Sequence, residues 1–277
     1  MTGRIITSVA GDYTVLTDDN KIITCKAKGL FRLKKISPYT GDYVTLETEN
    51  NDYIISEISE RKNALIRPPL ANIDCAVIVI SSCEPKPNTL IIDRLTVIFD
   101  SKGIESVLVF TKIDKKEALL FDVYQKAGFT CFDNSEIQPL QTFLGGKTSA
   151  LIGNTGVGKT SLLNRLIPGL DLPTAEISKK LGRGKHTTRT VELHRLPNNG
   201  YVADTPGFST VDTQIYGEIL SAEVVQHFRE FVQYIGKCKY HGCTHCGEDG
   251  CSIPQDSSRY ESYKSIYAEA KKAENEY

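Results

Sequence analysis

The residues with the clearest chemical meaning form the segment GNTGVGKT, at positions 153 to 160, which satisfies the pattern G-x-x-x-x-G-K-[ST]. It follows an apolar run typical of a strand and precedes an amphipathic run typical of a helix. Glycines in this setting let backbone N–H groups turn toward phosphate oxygens. Lys159 can then reach the β- and γ-phosphates of a nucleotide, and the Thr160 hydroxyl can bind Mg²⁺. The alternative is a glycine-rich turn without a ligand. The predicted contact residues are Gly153, Asn154, Thr155, Gly156, Val157, Gly158, Lys159, Thr160 and Ser161.

Two further segments match the parts that a nucleotide switch needs. In VADTPGF, Asp204 ends a predicted strand, so its carboxylate can hold the Mg²⁺ shell and the Gly207 N–H can sense the γ-phosphate. The polar segment KKLGRGKHTTRTVEL lies between this motif and the phosphate loop, and its composition is typical of a switch loop. Such a loop supplies a threonine to Mg²⁺ when a triphosphate is present. We expect Thr188 in this role, with Thr187 as the alternative.

The stretch VLVFTKID, residues 107 to 114, predicts a buried strand followed by a base-reading motif. Asp114 can accept hydrogen bonds from the N1 and N2 donors of guanine, while the Lys112 stem lies along the purine face. Taken alone, TKID is usually no more than a strand-to-helix turn, because short motifs are weak signals. The combination with the phosphate loop, the switch threonine and D-x-x-G favours guanine binding, through Thr111, Lys112, Ile113 and Asp114. The motif precedes the phosphate loop, but base and phosphate sites still meet at the carboxyl ends of parallel strands.

A cluster of cysteine and histidine residues, CKYHGCTHCGEDGC at positions 238 to 251, offers six candidate metal ligands. Four of the eight cysteines of the chain lie in it, which indicates a metal site rather than disulfides. Four thiolate and imidazole ligands form the closed, tetrahedral kind of zinc site. A redox role for the thiols is the alternative.

The elements that position these residues fall into three predicted domains. Residues 1–65 contain about five short β-branched strands with turn signals between them, which predicts a small OB-fold barrel. Residues 66–220 alternate strands with helices, which predicts a parallel α/β sheet. Residues 221–277 combine a helical run, the cysteine and histidine cluster and a polar helix from about Asp256, which predicts a mostly helical metal-binding domain.

Composition restricts the partners and the location of the protein. The 277 residues are 40% hydrophobic and 24% charged with a formal net charge of −1, as in ordinary soluble proteins. We expect a cytoplasmic monomer, without membrane contact because no apolar run approaches the roughly 20 residues needed to span a bilayer. A net charge near zero leaves RNA binding to local basic patches. One such patch accompanies Phe31 and Tyr39, and a second spans residues 179–189 of the switch loop; a solvated basic face is the alternative. The first patch comprises Lys26, Lys28, Arg32, Lys34 and Lys35.

The sequence as a whole resembles the RsgA (YjeQ/YloQ) family of circularly permuted GTPases. The resemblance rests on RPPLANID, LIIDRL, TKID, GNTGVGKTSLLN, GRGKHTTR, DTPGF, the cysteine and histidine cluster and RYESY. It implies an N-terminal OB-fold, a permuted GTPase domain and a C-terminal zinc domain. It also implies weak GTP hydrolysis with Mg²⁺, stimulated by the small ribosomal subunit, contact with its rRNA, and a role in late maturation of that subunit. The zinc ligands that it implies are Cys238, Cys243, His245 and Cys251.

Several positions depart from the family pattern or leave a choice open. Thr111 replaces the asparagine of the usual N-K-x-D motif, and Cys246 can take the place of His245 as a zinc ligand, while His241 is an extra candidate. Phe208 stands where Ras-type proteins carry a water-orienting glutamine, and phenylalanine cannot orient water by hydrogen bonding. The expected catalytic residues are therefore Lys159 and His186, with a solvated loop histidine as the alternative for the latter.

Two rival functions follow from the same residues. A P-loop ATPase with another target differs in base preference, which nucleotide competition would reveal. An RNA-binding assembly protein that senses GTP without turnover differs in hydrolysis, which a comparison with and without ribosomal subunits would reveal.

Overall fold

The computed structural model of the protein describes residues 1–33, 36–112, 118–173, 191–205 and 219–276, except for the side chains of Arg32 and Ala118. The described chain groups into two compact units, each built from two separate stretches of sequence. The first unit comprises Met1–Val77 with Ser135–Phe208, and the second comprises Ile78–Asn134 with Ser209–Tyr277. Among the described residues, no helix has the length and apolar character needed to cross a membrane.

The first unit begins with the predicted five-stranded barrel. Its strands are β1 (Thr2–Val9), β2 (Asp12–Thr17), β3 (Ile22–Ala27), β4 (Tyr43–Glu49) and β5 (Asp52–Ile58), and a short helix α1 (Gly29–Leu33) follows β3. The strand order β1-β2-β3-β5-β4 is closed by pairing of β4 with β1. Closure removes the free edges of a small sheet. The prediction of an OB-type barrel is confirmed.

Alternation of apolar and polar residues explains how this barrel forms. Inward-facing side chains of successive strands, such as Ile5, Val15 and Ile55, are fully buried. They form one core cluster with Tyr13, Cys25, Val44 and Leu46. The residues between them face outward, as the two-residue period of a strand requires.

The rest of the first unit is an α/β arrangement that carries the phosphate loop. The early part of the sequence contributes the short paired strands β6 (Ala64–Leu65) and β7 (Leu70–Ala71) and the beginning of β8 (Cys75–Ser81). The chain of this unit then resumes at residue 135. Strand β11 lies parallel to β13, β13 pairs with β12 in the antiparallel sense, and β12 pairs with β1 of the barrel. The elements of this part are α4 (Ile137–Leu144), β11 (Thr148–Ile152), α5 (Lys159–Leu166), β12 (Glu192–Arg195) and β13 (Tyr201–Asp204).

The second unit combines the remaining α/β elements with the C-terminal region. Strand β9 (Glu105–Thr111) lies between β8 and β10 (Thr130–Asp133), and helices α2 (Thr89–Ser101) and α3 (Ala118–Lys126) connect these strands. Two 3-10 helices, Ser221–His227 and Val232–Tyr234, stand where sequence spacing predicted one continuous helical run. The last helix, α6 (Tyr260–Asn275), starts four residues later than predicted, after a turn at residues 254–257.

Aromatic side chains build the core of this C-terminal region. Phe228, Phe231 and Tyr263 are almost fully buried, with ring centroids 5.4 to 5.7 Å apart. The same cluster includes Val97 and Ile98 of α2. The C-terminal region therefore shares its core with α2 instead of building a separate one.

Candidate nucleotide and metal sites

The phosphate loop has the local geometry that its sequence requires. Strand β11 ends at Ile152, and helix α5 begins at Lys159. Gly158 caps this helix with φ +104°, in the left-handed region that favours glycine. The N-terminus of α5 therefore directs its free N–H groups and the positive end of its dipole toward the loop, where an anion is stabilised.

Two charged groups face this loop from within the first unit. Lys159 is 8% exposed, and its ammonium group donates to the carbonyls of Gly153 at 2.7 Å and Asn154 at 3.0 Å. Asp204 is 9% exposed and ends β13, where it is aligned with Leu151 of the parallel strand β11. The strand pairing thus brings the phosphate loop and the D-x-x-G carboxylate to the same end of two adjacent strands.

Burial disfavours the charge of both groups in the absence of a ligand. It lowers the pKa of Lys159, although the neighbouring Asp204 opposes the shift. It raises the pKa of Asp204, although Lys159 and His194 oppose that shift. A phosphate would compensate the lysine, and a divalent cation would compensate the carboxylate. The oxygen donors Asp204 and Thr160 are of the type that Mg²⁺ prefers.

In the second unit, the predicted base-reading motif begins at Thr111, the last residue of β9, and continues with Lys112. Thr111 is buried, and its hydroxyl donates to the carbonyl of Ile80 at 3.3 Å. Lys112 has φ +63°, an uncommon value for a residue with a side chain, and its ammonium group donates to the carbonyl of Glu84. Uncommon backbone angles of this kind often occur at ligand sites.

Several predicted site residues lie outside the described residues. They are Ile113, Asp114, His186, Thr187, Thr188, Gly207 and Phe208. The same holds for the basic residues Lys179, Lys180, Arg183, Lys185 and Arg189 of the switch segment and for Lys34 and Lys35 of the barrel patch. The roles predicted for them stay predictions. Within the described barrel patch, Lys28 forms a salt bridge of 2.6 Å with Glu47, so its charge is partly compensated.

The cysteine and histidine cluster places four candidate ligand atoms around one point. The side chains of Cys238, Cys243, His245 and Cys251 have ligand atoms that all lie within 4.8 Å of one another. The fifth candidate, Cys246, directs its thiol to the carbonyl of Thr244 at 3.5 Å and lies outside this group. Of the two alternatives that the sequence left open, His245 is the one that lies in this group.

The spacing of these atoms fits a tetrahedral metal ion. The Nδ1 atom of His245 lies 3.4 Å from the sulfur of Cys238 and 3.6 Å from that of Cys251. A zinc ion with bonds of about 2.3 Å to sulfur and 2.0 Å to nitrogen requires a separation of about 3.5 Å at tetrahedral angles. Three thiolates and one imidazole leave no position for a substrate, so the site would be structural.

Groups around the cluster hold its backbone in place. Glu248 accepts hydrogen bonds from the backbone N–H groups of Thr244 at 2.7 Å and Cys246 at 2.8 Å. The hydroxyls of Tyr260 and Tyr263 donate to the carbonyls of His245 at 3.0 Å and Thr244 at 2.6 Å. Sequence reasoning missed these supporting residues, although both tyrosines occur in the quoted RYESY motif.

A buried ion-pair network joins this region to α2. Arg259, 2% exposed, donates to Asp93 at 2.8 Å and to both carboxylate oxygens of Glu230 at 2.9 and 2.8 Å. Burial alone would lower the pKa of Arg259, but Asp93 and Glu230 outweigh it and raise the pKa. Asp93 belongs to LIIDRL and Arg259 to RYESY, so two quoted motifs without an assigned role meet here.

Comparison with known proteins gives consistent matches over the chain. The model of the RsgA GTPase matches residues 58–214, and the model of the RsgA N-terminal domain matches residues 2–54. The chain is 44% identical over 266 residues to the small ribosomal subunit biogenesis GTPase RsgA 2 of Oceanobacillus iheyensis, covering 91% of this chain and 89% of that protein. It is 39% identical over 297 residues to the small ribosomal subunit biogenesis GTPase RsgA of Bacillus velezensis, covering 99% of each.

Solved structures give the same result at the level of the fold. The crystal structure of YloQ, a circularly permuted GTPase, matches with a TM-score of 0.77 and 30% identity, covering 98% of this chain and 95% of that one. The motif order predicted from the sequence, base reading before phosphate binding, is that of a permuted GTPase.

Proposed function

The chain belongs to the RsgA family and is a GTP-hydrolysing enzyme, and from this premise we propose that it acts in late maturation of the small ribosomal subunit, which stimulates its hydrolysis of GTP. The observation that carries the proposal is the phosphate loop with Lys159 and Asp204 at the ends of adjacent strands, within a chain similar to RsgA proteins over almost its whole length. Membership of a GTPase family disfavours both rivals, the ATPase and the non-hydrolysing RNA-binding protein.

The described residues suggest how the phosphates are bound. In our proposal the Lys159 ammonium leaves the carbonyls of Gly153 and Asn154 and neutralises charge on the β- and γ-phosphates. The N–H groups at the start of α5 bind the phosphate oxygens. A GTPase requires Mg²⁺, and Asp204, Thr160 and Thr188 would hold it. The ion would compensate phosphate charge, and the protein would fix its position.

The remaining site residues are proposed from the sequence. We assign guanine recognition to Thr111, Lys112, Ile113 and Asp114, and γ-phosphate sensing to Gly207. His186 would orient the attacking water because Phe208 cannot. Water then forms a bond to the γ-phosphorus, the bond to the GDP oxygen breaks, and the products are GDP and phosphate.

The cysteine and histidine cluster would hold one structural zinc ion through Cys238, Cys243, His245 and Cys251. The ion supplies a cross-link between parts of the chain that have little apolar content of their own. We propose no role for it in hydrolysis.

The wider assignment is also a proposal. We propose domains 1–65, 66–220 and 221–277; the two family matches, over residues 2–54 and 58–214, support the first two and place their boundary between residues 54 and 58. We propose that the basic residues of the barrel and the switch segment contact rRNA, and that the protein works as a cytoplasmic monomer.

The decisive experiment measures GTP turnover with isolated small subunits, with large subunits and with neither. We expect slow hydrolysis by the protein alone and a large increase with small subunits only. Equal stimulation by both subunits, or none by either, would contradict the proposal.

A further inference from the structure

Strand β12 connects the barrel to the carboxylate that we assign to Mg²⁺. Glu192 in this strand pairs with Thr7 of the barrel strand β1 on one side and with Asp204 of β13 on the other. Both pairings are antiparallel. A single strand therefore separates the barrel from Asp204, and all three strands belong to the first unit.

A second contact fixes the beginning of the same strand. Thr40 is 1% exposed, and its hydroxyl donates to the carbonyl of Val191 at 3.3 Å. Val191 directly precedes β12 and is itself buried. Because a buried carbonyl without a partner costs free energy, this hydroxyl favours one position of the strand.

The turn that carries Thr40 is held rigidly against its neighbours. Gly41 has φ +95°, and a Cβ atom there would lie 2.2 Å from the carbonyl oxygen of Ala71, so only glycine fits. The Gly41 N–H donates to the carbonyl of Ile5 in β1 at 2.8 Å. The Asp42 carboxylate accepts two hydrogen bonds of 2.8 Å from Arg61. The turn therefore moves with the barrel.

An arginine links this turn to the strand that leads into the phosphate loop. Arg4 of β1 donates to the carbonyl of Gly41 at 3.3 Å and to the Thr148 hydroxyl at the start of β11 at 2.7 Å. Its guanidinium group lies 5.0 Å from the ring centroid of Tyr43 and 5.1 Å from that of Tyr201. Strands on both sides of the phosphate loop are thus connected to the barrel.

From these contacts we propose that Thr40 and strand β1 are positioning elements for Asp204, so that the barrel sets the geometry of the Mg²⁺ site. The inference rests on the proposed function, since it takes Asp204 as a Mg²⁺ ligand. Thr40 is not among the residues that we assign to nucleotide or metal binding. It acts through β12, whose position determines where the end of β13 lies.

The test compares GDP affinity with Mg²⁺ and with EDTA, using a fluorescent methylanthraniloyl GDP. Thr40→Val removes the hydroxyl at nearly constant volume, Thr40→Ser keeps it, and Thr48→Val changes an exposed threonine of the same barrel. We expect Thr40→Val to reduce the gain in affinity from Mg²⁺ about five-fold, the effect of one hydrogen bond of ordinary strength. The GDP affinity of Thr40→Val in EDTA should equal that of the wild type. Thr40→Ser and Thr48→Val should behave like the wild type under both conditions.

Three results would overturn the inference. A wild-type gain from Mg²⁺ in Thr40→Val would show that Thr40 positions nothing. Equal losses of GDP affinity in Thr40→Val with Mg²⁺ and with EDTA would show that Thr40 has only a general structural role. A wild-type protein without any gain from Mg²⁺ would refute the role of Asp204 itself, which separates failure of the proposed function from failure of the inference. If Thr40→Val does not fold, Thr40→Ala tests the same hydroxyl, with the same outcomes.

Discussion

Arg259 and Asp93 are 166 positions apart in the sequence, and the Nε atom of Arg259 donates to Oδ1 of Asp93 at 2.8 Å in a buried environment. The same carboxylate oxygen accepts from the Tyr124 hydroxyl at 2.8 Å. Since Asp93 lies in α2 and Arg259 directly precedes α6, the pair fixes the C-terminal region on α2.

Replacement of this arginine should destabilise the protein strongly. Arg259→Met leaves Asp93 and Glu230 without their cation, and breaking a buried ion pair costs about 3 to 5 kcal/mol. The control is Lys272→Met, which removes an exposed pair with Glu276 at 3.8 Å and should change stability by less than about 1 kcal/mol. Urea unfolding of both variants measures the free energies. Similar values for the two would show that the buried network is not important for stability.

Metal content should depend on the four clustered side chains and not on the fifth thiol. Protein purified without added zinc should carry close to one equivalent, and Cys251→Ser should lose most of it because a thiolate ligand is removed. Cys246→Ser should keep it, since that thiol points to Thr244. Elemental analysis of the wild type, of these two variants and of His245→Ala measures the metal content. Loss of metal in Cys246→Ser but not in a His245→Ala variant would reverse the assignment.

The raised pKa of Asp204 gives a prediction on stability and pH. Its ionisation costs more in the folded than in the unfolded state, so the wild type loses stability as pH rises from about 3.8 through the raised folded pKa. Without nucleotide or Mg²⁺, Asp204→Asn should therefore be more stable than the wild type at pH 7, and this difference should shrink toward pH 4. Urea midpoints at both pH values test this.

The control for that experiment is Asp122→Asn, which changes an exposed carboxylate on α3. Asp122→Asn should show no comparable gain in stability at pH 7. A less stable Asp204→Asn at pH 7 would mean that the carboxylate is stabilising in the ligand-free protein.

Guanine preference should depend on Asp114, which the sequence places in TKID. Asp114→Asn should weaken GTP binding roughly ten-fold or more, since hydrogen bonds to a charged group are lost. It should favour xanthosine triphosphate, whose base has an acceptor where guanine has its amino donor. Competition binding with both nucleotides provides the measurement, and unchanged GTP affinity would refute the assignment.

Stimulated hydrolysis should depend on His186. His186→Ala should keep GTP and subunit binding and lose about a hundred-fold or more of the stimulated rate, as expected when a group that positions a proton or water is removed. Single-turnover assays with small subunits measure this. Wild-type stimulation in the variant would assign the role to a ribosomal group or to another residue of the loop.

The features predicted best from the sequence are those that residues close together in the chain determine. The phosphate loop depends on glycines and a lysine within eight positions, and the barrel strands depend on alternation over six to eight residues. Contacts between residues far apart in the sequence leave no local pattern. The contacts of Arg259 with Asp93 and of Thr40 with Val191 were therefore not predicted. The sequence also left open whether His245 or Cys246 joins the cluster, because the outcome depends on the backbone. His245 adopts φ +63°, and its ring lies beside the sulfurs of Cys238 and Cys251.

The helical run predicted in the C-terminal region is present, but the sequence pattern did not specify its helix type. The run around SAEVVQHFREFVQYI has apolar residues at intervals that an α-helix would accept. The structure forms two short 3-10 helices. Phe228 and Phe231 lie between them in the sequence, and their rings stack with centroids 5.4 Å apart. Tertiary packing of these rings against Tyr263 decides the backbone path.

The division of each compact unit between early and late sequence has a consequence for synthesis on the ribosome. The barrel is complete once Ile58 has emerged, so it can close first. Arg259 is synthesised 166 positions after Asp93. Translation of that many residues takes roughly 8 to 33 seconds at the usual rates. During this interval α2 cannot bury its carboxylate beside the arginine. Nascent chains stalled before Arg259 should therefore have a folded barrel and an unfinished second unit, the species that chaperones would recognise.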